Sequence, residues 1–258
     1  MQKFDGYLIC TDLDDTFRRG ERSIVGNSEA IRYFTENGGR FTFATGRSVA
    51  HLGEESFIDL VNAPACLYNG GYVYDYATRQ VLRNACVSYT LGEFLEAVDE
   101  GFFARSRAYV CHDARDIVFD LPGNELKTQS PQVLQTKPLK MMFAFATEQE
   151  ALAFRDYARA LEFLQGSYIS RSWDTGVEIT AGDATKGHAL QFIKKHLGNI
   201  HTAIGVGNYE NDIPLLTHAD LGVAVENALD SVKQVADLIV RPAADCSIAH
   251  LIELLDAK

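Results

Sequence analysis

Tyr7-Leu8-Ile9-Cys10-Thr11-Asp12-Leu13-Asp14-Asp15-Thr16 is the stretch that decides the fold of this chain. Residues 7–10 are apolar without alternation, the pattern of a strand buried on both faces of a parallel sheet. The run ends in a cluster of aspartates, and open α/β sheets place their ligands at the carboxyl ends of such strands. Asp12, Asp14 and Thr16 stand two residues apart, so a continuing extended backbone puts their side chains on one side. Two carboxylates this close repel one another and call for a cation between them. One of them can attack an electrophile while the other handles protons, which is covalent catalysis of the aspartyl-phosphate type.

Outward from this stretch, strands and helices alternate. The pattern predicts a helix over 28–37, capped by Asn27 or Ser28 and ended by Gly38-Gly39. A strand over 40–44 follows, then a turn at Thr45-Gly46-Arg47, a helix over 49–59 and a strand over 65–68. The alternation changes between 82 and 180. A strand near 81–89 leads to a helix over 91–103 behind a Thr90/Glu93 capping box, then to strands near 108–112 and 116–120. A polar loop with Pro122, Gly123, Pro131 and Pro138 precedes a second round. That round is a strand over 140–146, a Thr147/Glu150 box, a helix to about 163, and strands over 167–171 and 176–180. The parallel pattern then resumes, with helices over 186–197 and 212–216 and strands over 202–206 and 221–225. A helix and a strand within 229–240 and a C-terminal helix after Ser247 complete it. The expected class is α/β: a doubly wound, Rossmann-like parallel-sheet core from residues 1–81 and 181–258, and an α+β domain of repeated αββ units inserted at 82–180.

Composition bounds the function. A chain of 258 residues with 47% hydrophobic and 23% charged residues can build a core and is not disordered. Its net charge of −11 argues against general nucleic-acid binding, though not against a small anionic substrate. Cys10, Cys66, Cys86, Cys111 and Cys246 are odd in number and form no CxxC, so reduced thiols are expected rather than disulfides or zinc. Neither a signal peptide nor a membrane span is legible, and a soluble, cytoplasmic protein is expected.

Four motifs occur in order, each at a strand end or a helix start: Asp12-x-Asp14-x-Thr16, Thr45 in Phe43-Ala44-Thr45-Gly46-Arg47, Lys186 in Gly182-Asp183-Ala184-Thr185-Lys186-Gly187, and Gly207-Asn208-Tyr209-Glu210-Asn211-Asp212. Together they resemble the haloacid dehalogenase (HAD) superfamily, and within it the Cof-type, subfamily IIB sugar-phosphate phosphatases, whose cap is inserted between the second and third motifs. Tyr68-Asn69-Gly70-Gly71, Val177-Glu178-Ile179 and Gly222-Val223-Ala224-Val225-Glu226-Asn227-Ala228 are further matches. The resemblance implies a magnesium-dependent phosphatase of small phosphorylated metabolites, sugar phosphates first, working through a phospho-aspartate. It makes Asp12 the nucleophile and a Mg2+ ligand. Asp14 becomes the acid and base, with its carbonyl on the metal. Thr45, Gly46, Lys186 and Asn211 hold phosphate, while Asn208 is a metal ligand and Asp212 supports the metal or Lys186.

One position departs from the pattern. The family usually has Asp where this chain has Asn208, and an amide oxygen brings no charge to the metal. Asp15 also stands where Gly is usual. One alternative reading is a phosphotransferase such as a hexose phosphomutase, since mutases of the same superfamily carry a related cap and form the same phospho-aspartate; the other, because of Asn208, is a weakly active or non-catalytic binding protein. Gly205-Val206-Gly207 lacks the third glycine of a dinucleotide fingerprint. Arg18-Arg19 reads as a surface turn or a greeting for an anionic substrate, and Trp173 as core first, with the substrate-facing surface of the inserted domain as the alternative.

Overall fold

The computed structural model describes residues 2–112 and 118–257, so the start of the strand expected near 116 lies outside the described residues. The chain divides into two compact units, Met1–Arg83 with Lys186–Lys258, and Asn84–Thr185.

The first unit begins with β1 (Tyr7–Thr11), α1 (Glu21–Glu36), β2 (Arg40–Phe43), α2 (Val49–Gly53) and β3 (Ala65–Leu67). Leu8, Ile9 and Cys10 are fully buried, as a central strand requires. Helix α1 starts seven residues before the expected 28: Asn27, expected as a cap candidate, and Gly26 are instead contact residues within the helix. A Cβ at Gly26 would lie 2.6 Å from Cys246 Sγ, and the Asn27 side chain is fully buried. The helix expected over 49–59 is shorter: Ser48 caps α2, Gly53 ends it, and a 3₁₀ turn follows at Ile58–Leu60. Strand β3 turns into an antiparallel hairpin, β4 (Tyr72–Asp75) and β5 (Gln80–Asn84). These short strands carry too little periodicity to be read in advance, and the strand expected to reach 89 stops at Asn84.

The second unit holds α3 (Leu91–Ala97), α4 (Glu100–Phe103), β6 (Ser106–Cys111), β7 (Val118–Pro122), α5 (Pro131–Leu134), β8 (Lys140–Phe145), α6 (Glu148–Ala160), β9 (Ser167–Trp173) and β10 (Gly176–Ala181). Its antiparallel sheet has the order β7-β6-β8-β10-β9. The Thr90/Glu93 capping box forms, but the helix breaks after Ala97 because Asp99 caps a new one. The polar segment expected as loop contains a 3₁₀ stretch, Gly123–Thr128, and α5, whose start carries Ser130 as cap and Pro131 in the first turn. Phe94, Phe103, Val110, Met141, Phe143, Phe154, Val177 and Ile179 form this unit's core. Trp173 is not in it: its indole N–H reaches Thr175 Oγ1 and the residue is 36% exposed.

The chain returns to the first unit through α7 (Lys186–Leu197), β11 (Thr202–Gly207), α8 (Ile213–His218), β12 (Leu221–Val225), α9 (Asp230–Lys233), β13 (Leu238–Val240) and α10 (Ser247–Asp256). Its sheet has the order β13-β12-β11-β1-β2, parallel throughout. From β1 the chain winds one way to β2, and from β11 it winds the other way to β12 and β13. Right-handed crossovers then place the connecting helices on opposite faces. The reversal falls between β1 and β11, so a ligand crevice is expected at the carboxyl ends of those two strands. Among the described residues, no helix is long and apolar enough to cross a membrane.

Candidate active site

Three of the four motifs sit at the carboxyl ends of adjacent strands: Asp12 after β1, Thr45 after β2, and Asn208 after β11. The fourth supplies Lys186, the first residue of α7 and fully buried. A buried ammonium must be paired. Lys186 Nζ donates to Asp12 Oδ1 and to Asp212 Oδ1, each at 2.6 Å. Burial alone would lower the lysine pKa, but the two carboxylates hold it well above its ordinary value. Asp12 lies the other way: its burial, helped by Asp212, outweighs the pull of Lys186 and raises its carboxyl to about 7. Two carboxylates against one ammonium leave this cluster one net negative charge when all three are ionised.

Asp212 also shapes the loop. Its Oδ2 accepts the backbone N–H groups of Asn208 and Tyr209, at 2.9 and 3.1 Å. Both its oxygens are thus engaged, one by the lysine and one by the loop. Gly207 permits this approach, since a Cβ there would lie 2.3 Å from Asp212 Cβ. Asn211 Nδ2 donates to Asn69 Oδ1 at 3.2 Å, and the Asn69 N–H donates to the Thr45 carbonyl at 2.9 Å. Asn69 has φ +60°, a left-handed conformation that asparagine tolerates. The Thr45 hydroxyl accepts the Arg47 N–H at 3.2 Å.

The strand does not continue past Thr11, so the expected common side for Asp12, Asp14 and Thr16 does not form. Residues 12–17 turn instead, with Asp15 at φ +57°. Each side chain finds its own partner: Asp12 meets Lys186, Thr16 Oγ1 donates to Asn208 Oδ1 at 3.1 Å, and the Asp14 carboxylate meets Arg18 and Arg47. Asp15 takes the left-handed position where glycine is usual, and its carbonyl accepts from Asn227 Nδ2 at 2.9 Å. The turn leaves the backbone N–H groups of Leu13 and Asp14 without partners among the described residues, as an anion cradle would have them.

Arg18, Arg47, Glu55 and Asn69 belong to this neighbourhood although their roles were not read from the sequence. Arg18 and Arg47 stood next to motifs, and the left-handed tendency of asparagine was a signal for Asn69. Glu55 gave none.

The oxygen donors present fit a magnesium ion. Asp12 Oδ2 and the Asp14 carbonyl accept no hydrogen bond among the described residues, and Asn208 Oδ1 accepts one, from a hydroxyl. Among the described residues there is no group of three or more His, Cys, Asp or Glu side chains placed for a metal, so such an ion depends on the amide and main-chain oxygens.

Carboxylates, a buried lysine and amide oxygens thus meet at the switch point of a parallel α/β core, where such folds place their ligands. The family model of haloacid dehalogenase-like hydrolases matches residues 9–252. Pyridoxal phosphate phosphatase YbhA of Escherichia coli (strain K12) is 26% identical over 269 residues, spanning 95% of this chain and 97% of that one. Two solved structures share the fold. A HAD/COF-like hydrolase from Plasmodium vivax has a TM-score of 0.79 at 20% identity, over 100% of this chain and 97% of that one. The HAD subclass IIB sugar phosphatase BT4131 has a TM-score of 0.76 at 20% identity, over 98% and 100%. The chain belongs to the haloacid dehalogenase-like hydrolases.

Proposed function

We propose that this protein is a magnesium-dependent phosphatase of small phosphorylated metabolites, sugar phosphates first, acting through a phospho-aspartate on Asp12. The observation that carries the reading is the buried Asp12–Lys186–Asp212 cluster beside the open Leu13 and Asp14 N–H groups. In the first step an Asp12 oxygen attacks phosphorus, the bond to the ester oxygen breaks, and Asp14 gives that oxygen a proton. In the second, water attacks the same phosphorus and loses its proton to Asp14, and phosphate leaves with Asp12 restored. Lys186, the Thr45 hydroxyl, the Gly46 N–H and Asn211 hold the phosphoryl oxygens, and Lys186 offsets their charge. Magnesium, held by Asp12, the Asp14 carbonyl and Asn208, supplies positive charge to the phosphoryl group. Asp212 anchors Lys186 and the loop that carries Asn208. The inserted unit acts as the cap that keeps water from the reaction and chooses the substrate.

The test is phosphate release from a panel of sugar phosphates and pyridoxal 5′-phosphate, the latter because YbhA is named for it, with and without magnesium. Asp12→Asn keeps the shape and removes the attacking anion, so turnover should fall by several orders of magnitude. Substantial activity in that variant would sink the phospho-aspartate. Transfer to a second sugar hydroxyl in place of water would make the protein a phosphotransferase.

A further inference from the structure

Asp14 is held by two arginines from different segments, and both are tied to one further carboxylate. Arg18, four residues on in the same turn, donates from Nε to Asp14 Oδ1 at 2.8 Å, with its Nη2 also 2.8 Å from that oxygen. Arg47, in the turn after β2, donates from Nε to Asp14 Oδ2 at 3.2 Å and from Nη2 to Oδ1 at 3.1 Å. The remaining Nη1 of each guanidinium donates to the same atom, Glu55 Oε1, at 2.7 Å from Arg18 and 2.5 Å from Arg47. Glu55, just after α2, has a side chain only 19% exposed, whereas the Asp14 side chain is 55% exposed.

An exposed aspartate on a turn samples several rotamers, and one exposed ion pair does little to stop it. A closed ring is different. The guanidinium fork is planar and rigid, so fixing Nη1 on Glu55 fixes the direction of Nε and Nη2, and with them the carboxylate they grip. The four charges cancel, so the ring is satisfied without a further ion. We propose that Glu55 is a positioning residue for proton transfer: through Arg18 and Arg47 it holds the Asp14 carboxylate in the orientation from which it serves the ester oxygen. The inference rests on the reading of Asp14 as acid and base.

The readout is kcat/KM, which reports the steps up to departure of the alcohol. Two substrates are compared, p-nitrophenyl phosphate, whose leaving group departs as a stable anion, and the alkyl ester of the panel that is hydrolysed fastest. A misplacement of about 1 Å can cost on the order of 10²-fold. Glu55→Ala should therefore lower kcat/KM for the alkyl ester about tenfold or more, and leave p-nitrophenyl phosphate within about threefold. Glu55→Gln, which keeps an oxygen for both Nη1 groups, should retain most of the alkyl activity. An equal fall for both substrates, or no change for either, overturns the proposal. Asp14→Asn in the same assay tests the underlying reading: if it spares the alkyl ester, the role given to Asp14 fails first. Should Glu55→Ala not fold, Arg18→Lys, which removes the fork and keeps the charge, is expected to show the same selective loss, and its absence counts equally against the proposal.

Discussion

On the proposed reading, Asn208 would offer a magnesium ion an amide oxygen where a carboxylate would also offer a charge. Its Oδ1 is oriented by the Thr16 hydroxyl, 3.1 Å away, and its N–H by Asp212. Asp and Asn share a shape, so Asn208→Asp should leave the loop in place and tighten magnesium, raising activity at low metal concentration. Magnesium titration of both forms by calorimetry checks this without relying on turnover; equal affinity would mean that Asn208 is not a ligand. Single residues were legible where the chemistry is stated by adjacent residues: Asp12, Lys186 and Asp212 each lie in a short motif, and the structure joins all three. The clamp on Asp14 was not legible, because Glu55 lies 37 residues from Arg18 and only folding brings them together. The sequence also could not show where the strand ended, so the spacing of Asp12, Asp14 and Thr16 suggested a common face that the turn abolishes.

Helices α1 and α10 show how one element completes another. Helix α10 begins after Cys246, which has φ +58° and gives no side-chain cap. Its first N–H groups, those of Ile248 and Ala249, are instead accepted by Asn27 Oδ1 at 3.0 Å each. Asn27 Nδ2 donates to the carbonyl of Phe17, which follows the Asp12–Thr16 turn, at 2.6 Å. The residue expected to cap its own helix thus caps a distant one from mid-helix, and local propensity has no access to that. Asn27→Ala strands a buried carbonyl and two helix N–H groups, at a cost of about 3 kcal/mol. For a chain of this size the melting temperature should fall on the order of 5–10 °C. Calorimetry checks it, and a shift below about 2 °C would mean that the cap carries no weight.

At the scale of the molecule, chemistry and choice of substrate are divided between the two units on the reading proposed above. Every residue assigned above to phosphoryl transfer lies in Met1–Arg83 or Lys186–Lys258. Apart from the β4–β5 hairpin, the order of strands and helices in that unit was readable, because its buried strands are mostly apolar runs and its long helices α1 and α7 are amphipathic. The inserted unit was readable as αββ repeats, but what its sheet presents was not, since the register between distant strands is set only by folding. That register aligns Tyr109, Met142, Glu178 and Ser170 across β6, β8, β10 and β9. Their neighbours Val110, Met141, Ile179 and Ile169 point to the opposite face, into the core. Tyr109 and Met142 of this row are half-buried, whereas Glu178 and Ser170 are buried, and Glu178 is pinned by Lys140 Nζ at 2.6 Å. On the proposed reading that the inserted unit chooses the substrate, Tyr109 and Met142 are the side chains of this row to test. Tyr109→Ala and Met142→Ala should then reorder kcat/KM across the substrate panel, by about tenfold for the best metabolite, through lost contacts worth roughly 1–3 kcal/mol. p-Nitrophenyl phosphate, whose hydrolysis draws on the first unit, should change little. A uniform fall across all substrates, with melting temperature preserved, would instead assign these residues to closure over the site, and no change in either variant would remove this face from substrate recognition.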